Sequence, residues 1–135
     1  MEHKLFTLSE ANALLPQLKE DLRKLQEATD QFERLYIEYQ QAKESFRQTS
    51  GLPSGSLDPF FELESKLDFM KIETDLLIEN FTRKGVLLKM INPGLIDFPA
   101  VLDGEEILIC WKEGEESASH YHGWHDGFAG RKPFP

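Results

Sequence analysis

The stretch HYHGWHDGFAGR, residues 120 to 131, places three histidines, an aspartate, three aromatic rings, three glycines and an arginine in twelve positions. His120 and His122, two apart, project to one side of an extended segment, and a following turn can return His125 toward them with Asp126 beside it. Imidazole nitrogens and a carboxylate grouped this way suit zinc or another divalent transition metal. The competing reading is plain: the spacing is not the helical H-E-x-x-H, and histidines in a glycine-rich tail commonly face water. His120, His122, His125 and Asp126 are therefore candidate ligands of a zinc-like divalent metal, while no cofactor is firmly implied.

Arg131 supports a second reading. Its guanidinium is a rigid fork for a carboxylate or phosphate, and with His122 it could grip an anion where Gly127, Ala129 and Gly130 let backbone N–H groups approach closely. Against this stands an ordinary ion pair from Arg131 to Asp97 or Glu115 that pins the tail to the rest of the chain. Asp97 interrupts the apolar run LIDFP, where a carboxylate is costly unless exposed or paired. Strict alternation puts it on one face with Leu95 and Pro99, and facing water is the expected outcome for an edge strand. If it meets Arg131 or His122 instead, the trio is a structural lock or a general-base pair. Asp97, Glu115, His122 and Arg131 thus form a candidate ligand or anion site, with no catalytic residue assigned.

Other templates are missing from the sequence: there is no glycine-rich phosphate loop and no G-x-S-x-G elbow. The one cysteine, Cys110, rules out an internal disulfide and reads as a buried structural thiol rather than a nucleophile. Tyr121, Trp124, Phe128 and Trp111 could line a pocket, but aromatics this close to a small sheet more often form its core.

The elements that must position these groups begin at Thr7 and Glu10, a T-x-x-E capping box that starts a helix over 7–48. Pro16, two turns in, predicts a kink or a short helix feeding a longer one. Leu15, Leu18, Leu22, Leu25, Thr29, Phe32, Tyr36, Tyr39, Lys43 and Phe46 alternate at intervals of three and four, a heptad seam. Residues 49–57 read as a loop, and Asp58-Pro59 opens a second helix over 58–84, with its own seam through Phe60, Leu63, Leu67, Met70, Thr74, Leu77 and Phe81. Phe61, Phe69, Ile72, Leu76 and Ile78 lie off that seam, more apolar surface than one partner helix can cover.

Gly85 suits a helix C′ position, and the period then changes. Three runs within 86–112, separated by Asn92-Pro93-Gly94 as a type II turn and Asp103-Gly104 as a two-residue hairpin, predict a three-stranded antiparallel meander. Pro99 marks a bulge or an unpaired stretch. The expectation is one α+β domain over 1–135: a long, coiled-coil-like antiparallel helical hairpin, the meander, and an irregular C-terminal segment, 113–135, folded over the sheet.

At 135 residues the chain can bury a modest core. The net charge of −9 is spread over both parts, 16 acidic against 11 basic residues in 1–84 and 8 against 4 afterwards, which argues against nucleic acid and anionic membranes as partners. With no apolar leader and no membrane-length apolar run, the sequence reads as cytoplasmic. The uncovered apolar surface predicts a homo-oligomer, a dimer or larger, and an acidic surface open to a protein partner.

The segments LFTLSEANALLP, GVLLKMINPGLIDFPA with ILICWKEGE, and YHGWHDGFAGRKP resemble DUF2203, a bacterial family of unknown function, over essentially the whole chain. The matching positions are Glu10, Ala11, Leu14, Leu15 and Pro16, then Gly85, Asp97, Phe98, Pro99, Cys110, Trp111, Gly114 and Glu115, then His122, Gly127, Phe128, Gly130 and Arg131. His120 and His125 lie outside the pattern, which weakens the three-histidine reading against one built on His122. The resemblance implies an uncharacterised protein and no chemistry. The sequence thus favours a self-associating helical-hairpin interaction protein, with a metal- or anion-binding enzyme or sensor built on the tail cluster as the alternative.

Overall fold

A computed structural model describes residues 4–48 and 58–135; the expected loop at 49–57 lies outside the described residues. Helix α1 spans Leu8–Arg47 and α2 spans Phe61–Arg83. Strands β1 (Leu87–Met90), β2 (Leu95–Leu102), β3 (Glu105–Lys112), β4 (His120–His122) and β5 (Lys132–Pro133) follow. They form one antiparallel sheet in the order β1-β2-β3-β4-β5. The fold is therefore α+β, with five strands rather than three: the tail contributes β4 and β5, and only part of it is irregular.

Local chemistry sets the boundaries. The capping box forms in both directions, with the Glu10 amide donating to Thr7 Oγ1 at 3.1 Å and the Thr7 amide to Glu10 Oε1 at 2.9 Å. Pro16 sits inside one uninterrupted α1, so no separate short helix precedes it. Asp58 Oδ1 accepts from the Phe60 amide, and α2 starts three residues later than expected. Gly85 ends α2 at φ +83°, and Asp103-Gly104 makes the hairpin with both residues at positive φ.

One expectation about prolines is corrected, and the other is met in its second form, an unpaired stretch on the β1 side. The turn at 92–94 contains a cis Asn92–Pro93 bond instead of a type II turn. The register from β2 to β3 runs through Pro99 without a bulge. Pro99 lies beyond the last residue paired with β1, so its missing N–H costs no ladder bond, and its carbonyl accepts from the Phe6 amide at 2.7 Å.

The chain forms two compact units, one of residues 1–26 with 77–135 and one of residues 27–76. In the first, alternation along β2 and β3 sends Ile96, Phe98, Ala100, Ile107, Ile109 and Trp111 into a core with Leu15, Leu18, Leu22 and Leu25 of α1 and Phe81 of α2. The first half of the α1 heptad seam thus belongs to a helix-on-sheet core, which overrides its reading as a helix–helix seam. Asn12 ties the tail to this core by exchanging two hydrogen bonds with the backbone of Ala118. Buried Asp21 is held by Lys84 at 2.8 Å.

In the second unit Phe60, just ahead of α2, stands edge-on to Tyr39 and Phe46 of α1, and the Tyr39 hydroxyl donates to Glu64 of α2 at 2.6 Å. Leu35 is buried here while Tyr36 is exposed, so the apolar face drifts off the strict heptad, as a 3.6-residue period requires. Among the described residues, no helix is long and apolar enough to cross a membrane.

Candidate functional site

The sheet has two buried faces, and the chemistry lies on the one turned away from the helices. Asp97 on β2 is directly opposite Cys110 on β3, and Leu108, two residues before Cys110, is opposite His122 on β4. Residues opposite each other or two apart share a face, so Asp97, Cys110 and His122 come together. All three are buried, with Asp97 1% exposed. An oxygen of Asp97, the sulfur of Cys110 and a ring nitrogen of His122 lie within 4.8 Å of one another. Among the described residues this is the one such group of three metal-type donors.

The hydrogen bonding is asymmetric. His122 Nδ1 is 2.8 Å from the Gly123 carbonyl, which can only accept, so that nitrogen carries its proton. The free edge, Nε2, points at Asp97 Oδ2 across 3.2 Å. Asp97 Oδ1 is buried and has no hydrogen-bond partner among the described residues. Burial raises the Asp97 carboxyl above the usual carboxylate range, offset only in part by His122, Cys110 and Lys89. Burial, and then the Asp97 charge, push the Cys110 thiol up to about 12, with Arg131 pulling the other way. A thiol held protonated by this much is a poor nucleophile, as the sequence reading of Cys110 implies.

Asp97 does not face water. β2 is flanked by β1 and β3 instead of lying at an edge, and on the face that Asp97 shares with Cys110 the tail's Arg131 comes close enough to act on the thiol. There Phe128 lies beneath the Lys112 ammonium, and the Arg131 guanidinium stacks on the same ring, 4.1 Å from its centroid. Arg131 also grips Glu115 with both arms, at 3.0 and 2.8 Å. Burial would raise the Glu115 pKa, but the Arg131 bonds and the Lys112 amide overcome it and hold the carboxyl below its ordinary value. With its fork occupied by a carboxylate, Arg131 is a clasp and not an open anion grip.

The three-histidine set does not assemble. His120 bonds Ser119, His125 is exposed, and Asp126 is spent on a turn in which its carboxylate accepts from the Gly123 amide. Of the four candidate metal ligands in the tail only His122 is in the cluster, and its neighbours there are Asp97, expected to face water, and Cys110, expected to be structural. The signal that could have found Cys110 is register: the Asp103-Gly104 hairpin fixes the β2–β3 pairing and so sets residue 97 against residue 110.

The donor set suits a metal ion. Bond lengths of about 2.0–2.3 Å place tetrahedral ligands roughly 3.3–3.8 Å apart, within a small inward movement of this cluster. The Nδ1–H to carbonyl bond is the outer contact that fixes a ligating imidazole. Fold and site together define an α+β protein with a buried aspartate–cysteine–histidine centre under a tail clasp. A family model described as "Uncharacterized conserved protein (DUF2203)" matches residues 4–134, and the chain belongs to that family. No curated protein and no solved structure matches it.

Proposed function

We propose that this protein binds a thiolate-preferring divalent transition metal, zinc or a chemically similar ion, through Asp97, Cys110 and His122. The observation that carries this reading is Asp97 Oδ1, a carboxylate oxygen buried beside a sulfur and an imidazole nitrogen and without a geometrically formed hydrogen bond among the described residues. A buried polar atom left unpaired costs about 1–3 kcal/mol, and a cation would remove that cost. Three protein donors leave a fourth coordination position, the pattern of sites that activate a bound water or substrate. Metal uptake would displace the Cys110 proton, so binding strengthens as pH rises.

Titration of chelator-treated protein with cobalt(II) tests this. One equivalent should bind and give a sulfur-to-metal charge-transfer band, which Cys110→Ser removes. Asp97→Asn should weaken binding by at least the roughly 10–100-fold that losing an outer partner costs. Absence of stoichiometric uptake, or a band that survives in Cys110→Ser, overturns the reading.

A second role, association through the helices, is supported by a separate observation: Phe61, Phe69, Ile72 and Leu76 of α2 are large apolar residues left exposed.

A further inference from the structure

The sequence suggests a second copy of the chain as cover for the outer face of α2; the charges around that face favour something else. Phe61, Phe69, Ile72 and Leu76 are 53 to 69% exposed. Their spacing of eight, three and four residues keeps them on one side of the helix, along roughly 22 Å at 1.5 Å per residue. Asp68 and Asp75, seven apart, border one edge of this stripe, and Glu62 and Glu73, eleven apart, border the other. All four carboxylates are exposed, and among the described residues none is in an ion pair. Lys66, near the Glu62 edge, and Lys71, between Asp68 and Asp75 in sequence, are the cations close to the borders, so acidic groups outnumber basic ones two to one along each.

Beside the Asp68 edge, still within residues 27–76, a groove of about 470 Å³ has aromatic walls that include Tyr36 and Phe61, with Glu64 and Asp68 among its acidic groups and Lys71 among its lining residues. Aromatic faces next to carboxylates suit an alkylammonium or guanidinium. A second copy would instead bring like-charged borders together: a two-fold axis sets each acidic border against an acidic border.

We infer that the outer face of α2 docks a basic amphipathic helix from another protein, whose apolar face covers Phe69, Ile72 and Leu76 and whose lysines or arginines meet Asp68, Asp75, Glu62 and Glu73. Heptad-like spacing of the exposed residues matches what a packed helix presents. This face shares no residue with the metal centre, and either assignment can fail without the other.

Fluorescence anisotropy with a labelled helical peptide of about 18 residues, leucines on one face and lysines flanking them, tests the proposal against a twin carrying glutamates in place of the lysines. The lysine peptide should bind, and raised salt should weaken it. Phe69→Ser with Ile72→Ser, or Asp68→Lys with Asp75→Lys, should each reduce affinity about tenfold or more, with cobalt binding unchanged. Light scattering of the protein alone should give the 15.6 kDa monomer. Equal binding of the glutamate twin, insensitivity to both pairs of substitutions, or a dimer that the two serines dissociate would overturn it.

Discussion

At the scale of single residues, what separates a site from a lock is where each charge finds its partner. Arg131 and Glu115 satisfy each other in a two-armed clasp that is 18% and 24% exposed at the side chains. Its pH dependence follows from the depressed Glu115 pKa: the folded value lies below the unfolded one, so the stabilisation is complete above the ordinary carboxylate range and is lost as pH falls through the folded value. Glu115→Gln should therefore cost about 1–2 kcal/mol at neutral pH, and the gap from the parent should close in acid; urea unfolding across pH measures both. A gap that persists below the carboxylate range would mean the clasp acts by packing alone. Arg131 as tail anchor was legible in the sequence, because a guanidinium in a glycine-rich tail needs a carboxylate to be ordered. The surroundings of Asp97 were not legible, since one strand cannot report what crosses its outer face.

The elements themselves were legible wherever a short-range rule fixes the backbone. The Thr7–Glu10 box, Gly85 and the Asp103-Gly104 turn fall where expected because each depends on a few neighbouring atoms. Strands β4 and β5 were missed because three and two residues are too short to show a period of two, and their pairing partners are distant in the chain. Gly94 hides a further long-range demand. Its amide donates to Glu113 Oε1 at 2.8 Å, and a Cβ there would sit 2.2 Å from the buried Leu22 side chain of α1. Gly94→Ala should cost about 2 kcal/mol, the scale of core overpacking, because the buried Leu22 side chain must shift to admit the added methyl. Denaturant unfolding reads this directly. A neutral result would show that the β1–β2 turn can back away from α1.

For the whole molecule, the two compact units mean that binding in one need not stabilise the other equally. Asp97, Cys110 and His122 all belong to the unit of residues 1–26 and 77–135, while the exposed stripe and its acidic borders belong to residues 27–76. A ligand that binds only the folded state adds about 2.7 kcal/mol at a concentration one hundred times its dissociation constant. At roughly 2–4 °C per kcal/mol for a chain approaching 150 residues, that amounts to a rise of about 5–11 °C in the melting temperature. Hydrogen exchange locates the gain, because amides are slowed by the stabilisation of the unit whose opening exposes them. With zinc or cobalt bound, protection should grow in β2, β3 and β4 and in the first turns of α1, and stay nearly constant between residues 27 and 76. Cys110→Ser should abolish the difference while leaving the metal-free pattern in place. A uniform rise over both units would mean the chain opens only as a whole; no rise in the sheet would mean that the buried carboxylate, thiol and imidazole hold the tail down without a metal.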